Sequence, residues 1–236
     1  PSQLKGRPME QENSMDTAKA RVLDAALPHA AFDGWSETTL QAAIDDSQTP
    51  PALARALFPR GGIDLAVAYH QSGDRALREA LAAMDLSETR YTARVALAVK
   101  LRLQSADREL VRRGTTLFAL PQHAAEGTRL IWATADTIWT ALGDTSTDVN
   151  WYSKRATLSA VYGATVLFWL GDQSEDSAET WAFLDRRLAN VMQFEKTKAA
   201  LQNNPLAKTL MAGPLKLLKN LRAPNPSPDL PGRTDR

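Results

Sequence analysis

Along most of the chain apolar residues recur every three or four positions and seldom alternate, so the pattern predicts helices and no sheet. Val22, Leu23, Ala26 and Ala30 share one face of a first helix expected from Asp16 or Thr17 to about residue 31, with Gly34 ending it. Thr38 or Thr39 opens a short second helix through Ile44. A turn of Asp46, Ser47, Thr49 and Pro50 leads to a third helix, PALARALF, with Pro51 at its first position. This outline is a helix-turn-helix head over residues 16–60. Longer helices are expected over about 63–83, 88–104, 106–118, 123–142, 148–170, 177–200 and 206–222. The polar stretch 1–15 and the proline-rich stretch 223–236 show no apolar period and are expected to be disordered. The fold class is therefore all-α, a short head followed by a helical bundle over 61–200.

Composition sharpens this picture. Of 236 residues, 38 are Ala and 31 Leu against 13 Val plus Ile, a bias toward good helix formers. The near-uncharged run Ala156 to Leu170 is too short for a membrane span and contains Thr157, Ser159 and Thr165, so it reads as a buried helix. Glu10, Glu12 and Asp16 argue against an intact transit peptide, which favours a bacterial cytoplasmic location, peripheral on the inner membrane, over the mitochondrial matrix face.

The head is a poor candidate for DNA binding. Residues 16–60 carry four cations against six anions, a net charge of −2, and Arg55 is the only hydrogen-bond donor in the would-be reading helix. Because phosphate neutralisation supplies most non-specific affinity, no nucleic-acid partner is expected. Catalytic chemistry is equally hard to find. There is no cysteine, and His29, His70 and His123 are isolated, without the Glu-x-x-His pairs of di-iron bundles. His123 and Glu126 are better read as a solvated helix start. No phosphate loop or G-x-S-x-G elbow occurs, so the chain is not expected to be an enzyme or to carry a cofactor or metal.

Charge is concentrated at one place. From Lys196 to Arg222 six cations occur with no acid. On a helical wheel Leu206, Leu210, Met211, Leu215, Leu217, Leu218 and Leu221 fall in one half, and Lys208, Lys216 and Lys219 in the other, with Arg222 closing the segment. Such a helix suits an anionic membrane surface, its apolar face down. Gly213 and Pro214 kink or divide it. A bundle or oligomer helix is the competing reading.

Five of the six tryptophans lie between 132 and 181, on helices that form either a large core or the wall of an apolar cavity; periodicity leaves both open. Trp151 or Tyr152 should be partly exposed beside Asp148 and Arg155, a composition suited to a protein contact. The run Gly143-Asp144, Ser146-Thr147-Asp148, Asn150-Trp151-Tyr152, Arg155-Ala156 and Leu158, then Tyr162 and Glu179-Thr180-Trp181-x-Phe183-Leu184, resembles the ubiquinone-biosynthesis accessory family of the ninth coenzyme Q protein.

That resemblance, over roughly residues 16–222, implies a tetracycline-repressor-like (TetR-like) fold without DNA binding that binds isoprenoid quinone intermediates or phospholipid and sits on the membrane through its last helix. It further implies association with the di-iron demethoxyubiquinone hydroxylase, and with other enzymes of the pathway, to which it presents the substrate. The implied partner surface is Asp148, Trp151 and Tyr152, with Arg155 and Ile138 as neighbours. Trp132, Ile138, Tyr162 and Trp169 are the candidate lipid contacts. The runner-up is a TetR-class lipid-sensing transcriptional regulator. Homodimerisation, common for the architecture, is left open.

Overall fold

The structure, a computed structural model, describes residues 7–147 and 149–203. Among these residues it is all-α, with helices α1 (Arg7–Asp33), α2 (Glu37–Ser47), α3 (Pro51–Leu57), α4 (Gly62–Ala82), α5 (Tyr91–Gln104), α6 (Arg108–Phe118), α7 (Ala124–Ala141), α8 (Val149–Gly171) and α9 (Ala178–Asn203). The expected helices are all found up to residue 203, while the basic segment 206–222 and the tail lie outside the described residues.

The termini of the helices follow local chemistry. Gly34 takes φ +70° and donates its N–H to Ala30 O, ending α1 in the left-handed conformation that glycine adopts without cost. Ser36 Oγ accepts from Thr39 N to cap α2, and Asp107 accepts from Glu109 N and Leu110 N to cap α6. Pro50 and Pro51 start α3, whose first backbone N–H would have no intrahelical partner in any case. One expectation fails at the front: α1 begins at Arg7, inside the stretch read as a disordered lead. An apolar period is not needed to extend an existing helix, and Met9, Glu10, Gln11 and Glu12 are all good helix formers.

Two hydrophobic clusters divide the interior. The first gathers Val22, Leu23, Leu40, Ile44, Phe58 and Leu65 under the head and reaches Leu110 of α6. Trp35 joins head to body: its indole N–H donates to Leu110 O at 3.2 Å, and its ring lies 5.4 Å from that of Tyr69. The second cluster holds Leu77, Val95, Leu103, Ile138, Leu158, Tyr162, Trp169 and Leu184, where α4, α5, α7, α8 and α9 meet. Side chains of α6 also close the far end of α8, since Arg112 donates to Leu170 O and Arg108 to Asp172 O. These bonds satisfy carbonyls left over at a helix C-terminus and place cations at its negative end. Among the described residues no helix is long and apolar enough to cross a membrane.

Candidate functional site

Between the two clusters lies a cavity of about 360 Å³, walled by α4, α6, α7 and α8. Its walls are predominantly apolar, with Leu110, Phe118, Ile131 and Val166 among them and Trp35 at the side of the head. Gly114 of α6 and Gly163 of α8 line it where an added Cβ would meet its first neighbour only at 3.6 Å, whereas Gly127 lets α7 pack closely on Phe118, which a Cβ would approach to 2.7 Å. The volume falls in the usual range for small-molecule pockets.

One end of the cavity is polar. Arg102 of α5, only 3% exposed, donates from Nε to Asp74 Oδ1 of α4 at 2.8 Å and from Nη2 to His70 O at 3.0 Å. Thr134 of α7 donates to the same carboxylate at 2.9 Å. His70 Nε2 lies 3.1 Å from Leu130 O and 2.8 Å from Thr134 Oγ1. A carbonyl can only accept, so Nε2 carries the proton. Burial pushes the His70 pKa down to about 4, against the pull of Asp74, and the ring is neutral at physiological pH. Tyr162 lies entirely within this cluster, its hydroxyl bonded to Thr134, and burial raises its pKa. Arg102, His70 and Tyr162 all reach the cavity wall.

A second feature sits at the start of α8. The Arg155 guanidinium lies 4.0 Å from the centroid of the Trp151 ring, and Trp151 meets Tyr152 edge to face at 4.8 Å. Trp132 approaches Trp151 from α7 at 6.1 Å. Arg155 is itself clamped, with Nε on Asp136 at 2.6 Å and Nη1 on Asp144 at 3.0 Å. Burial alone would raise the Asp144 carboxyl, yet hydrogen bonds from Lys154, Ser146 and Arg155 outweigh it and hold the pKa at about 2. Trp151 and Tyr152 are both half-buried, so each presents part of its ring on the surface. Beside them a smaller cavity of about 260 Å³ opens between α5, α8 and α9, lined by Tyr91, Trp139 and Lys154 among others.

The site expectations divide accordingly. Ile138 is fully buried and Arg155 is 2% exposed, so neither can touch a partner; Arg155 acts by fixing Trp151 from beneath. Asp148 lies outside the described residues. Of the four candidate lipid contacts only Tyr162 lines the larger cavity. Trp132 belongs to the Trp151 cluster, Ile138 to the core, and Trp169 packs under the Arg108 guanidinium at 4.8 Å. Missed were Tyr69 and His70 on α4 and most of the α6 wall. A usable signal existed for both polar clusters: Asp74 and Arg102 of the cavity end, and Arg155 of the second cluster, each stand in phase with the apolar residues of their helices, where a charge is out of place. Among the described residues there is no group of three or more side chains that could hold a metal ion.

Comparison with known proteins gives a consistent picture. A family model described as COQ9 matches residues 124–195, which include α7 and α8 and both polar clusters' residues on them. The ubiquinone biosynthesis protein COQ9-B, mitochondrial, of Xenopus laevis is 30% identical over 231 residues, covering 93% of this chain and 78% of that protein. Its human counterpart is 30% identical over 233 residues, covering 93% and 72%. With the protein of Xenopus tropicalis the alignment is 31% identical and spans 79% of this chain but only 62% of the relative. In structure the chain is similar to a TetR transcriptional regulator from Nitrosomonas europaea, with a TM-score of 0.60 and 19% identity, covering 72% of this chain and 95% of that one. This likeness bears out the expected fold, and at that identity it speaks of the fold alone. The mitochondrial relatives overturn the bacterial cytoplasmic location. That expectation rested on the acidic residues at the front of the sequence, which are a poor guide to what precedes Pro1.

Proposed function

The chain belongs to the COQ9 family, and on that premise we propose that it serves ubiquinone biosynthesis as a non-catalytic lipid-binding accessory protein. The observation that carries this reading is the predominantly apolar cavity in the body of the bundle, lined by Leu110, Phe118, Ile131 and Val166. Its ligand is an isoprenoid quinone intermediate, presented to the di-iron demethoxyubiquinone hydroxylase. Trp151 and Tyr152 form the docking surface, with Asp148 beside them in the sequence. Rigid aromatics on a fixed backbone lose little entropy on binding, and Arg155 fixes Trp151 in advance. The basic segment 206–222 holds the protein on the matrix face of the mitochondrial inner membrane.

Native mass spectrometry with lipid extraction, on protein purified from cells that make ubiquinone, tests the central claim. A co-purifying isoprenoid quinone supports it; a lipid-free chain that still binds the hydroxylase would reduce the protein to a scaffold. Trp151→Ala and Tyr152→Ala should each weaken hydroxylase capture while helicity by circular dichroism is unchanged, and undiminished capture removes the docking surface. Deleting 206–222 should abolish flotation with anionic vesicles, and unchanged flotation removes the membrane claim.

The regulator reading finds no support in the head. Arg55, the one donor on α3, is already bound to Glu37 at 2.7 Å and Gln41 at 3.1 Å, and Arg60 is shared between Asp64 and Glu126.

A further inference from the structure

The polar end of the large cavity has a feature that lipid binding in general does not require. Arg102 has five N–H groups, and the bonds to Asp74 and His70 O use Nε and Nη2. Nη1 has no hydrogen-bond partner among the described residues, although the side chain is only 4% exposed and lies on the cavity wall. Among the described residues the fully buried side-chain atoms without a partner are Arg113 Nε and Ser159 Oγ, so Nη1 keeps some exposure, on a side chain at the cavity wall, and can donate to an acceptor that enters there. The arrangement is deliberate in a further respect. A Cβ at residue 73 would sit 2.5 Å from the guanidinium carbon and 2.6 Å from Nη1. Gly73 is therefore the notch in α4 that lets the guanidinium lie where it does.

Charge then limits what can fill the site. Asp74 already neutralises Arg102, and His70 is uncharged with its proton committed on Nε2. The cluster sums to zero, so an anionic head entering this end would be desolvated without a net counter-charge, whereas a neutral oxygen needs only a donor.

Resting on the lipid-binding reading, we infer that Arg102, seated in the Gly73 notch and neutralised by Asp74, forms a socket that takes the neutral oxygen-bearing head of the ligand by a hydrogen bond from Nη1 and discriminates against an anionic head. The ligand lies head inward, with its apolar tail along Leu110, Phe118, Ile131 and Val166.

The test uses the full chain and displacement of an environment-sensitive fluorophore, counting only the signal that a cavity-filling Gly163→Leu variant abolishes, so that binding to the lysines of 206–222 is excluded. Three probes share one tail: decyl-benzoquinone, decyl phosphate and decylbenzene. The quinone should bind at least about tenfold more tightly than either of the others, the equivalent of one buried hydrogen bond gained or one charge refused. Gly73→Ala, which displaces the guanidinium without altering charge, should lower the quinone to the level of decylbenzene and leave decylbenzene unchanged. Asp74→Asn, which leaves Arg102 unneutralised, should raise affinity for decyl phosphate; if it does not fold, the wild type and Gly73→Ala decide alone. Phosphate binding as tightly as quinone in the wild type, or a quinone advantage that survives Gly73→Ala, overturns the socket. If no probe gives a signal sensitive to Gly163→Leu, it is the cavity reading itself that fails.

Discussion

Filling the large cavity from α8 should make the protein more stable and less able to bind lipid. Gly163 lines the cavity, and a Cβ there would meet Ile131 Cδ1 at 3.6 Å, an ordinary contact, with nothing nearer. Gly163→Leu replaces the poorest helix former after proline by one of the best, which contributes about 1 kcal/mol in a helix interior. Burying most of a leucine side chain against the apolar walls adds roughly 1 to 2 kcal/mol. For a chain of this size each 1 kcal/mol raises the Tm by about 2 to 4 °C, so an increase of roughly 5 °C is expected. The same four carbons occupy the space of the ligand. Thermal unfolding by circular dichroism and lipid content after purification read the two effects separately. If the region were closed core, the leucine would overpack it and lower the Tm. A lowered Tm, or an undiminished lipid load, would therefore refute the assignment of this space as a binding cavity.

Other consequences concern the clusters around it. Between pH 6.5 and 4 the unfolded chain takes up a proton at His70 that the folded one refuses, because burial disfavours the charged ring and outweighs the pull of Asp74. Stability should fall by up to about 3 kcal/mol as pH drops through that window, and His70→Gln should flatten this part of a urea-midpoint profile against pH. Asp144 acts lower: its pKa of about 2 means that its contribution is present above about 4 and disappears as pH falls toward 2, and Asp144→Asn should remove that step. Arg155→Met removes the bonds to Asp136 and Asp144 and frees Trp151, but Asp136 is open to water and Asp144 keeps Lys154 and Ser146, so a loss of about 1 to 2 kcal/mol and a red-shifted tryptophan emission are expected; an unchanged spectrum would show that Arg155 does not hold the indole. Asp172→Ala should cost about 1 to 2 kcal/mol by urea unfolding, because its carboxylate accepts from Ser174 N, Thr180 N and Thr180 Oγ1 before α9.

Helices were legible in the sequence because their signals are local. Most boundaries from Gly34 to residue 203 have a cap, a glycine or a proline close to where the apolar period stops, the end of α4 and the start of α5 excepted. The half-buried aromatic pair at the start of α8 was legible for another reason, since Trp151 and Tyr152 stand in a polar run where large rings need an explanation. The cavity was not. Its wall residues have the same period and composition as core residues, and what makes them a wall is the meeting of Gly114 of α6 and Gly163 of α8, brought together only by the fold. Tryptophan drew attention to Trp132 and Trp169 because of its size, yet a large ring fills space, and an open site is marked by small residues.

In this chain the head is tied to the cavity wall by groups that a DNA reader would need free. Arg60, between α3 and α4, binds Glu126 at the first turn of α7 through both terminal nitrogens, and Arg113 of α6 donates to Ala31 O at the end of α1. These exposed and half-buried bonds contribute little individually to stability. Their position matters more: each spans from the head to a helix that lines the cavity. Breaking the link with Arg60→Ala should leave the Tm within about 2 °C, as for other exposed pairs. It should nonetheless speed release of a fluorescent lipid, because α7 is then free to move at its first turn. Release as slow as in the wild type would mean that the head plays no part in holding the cavity closed.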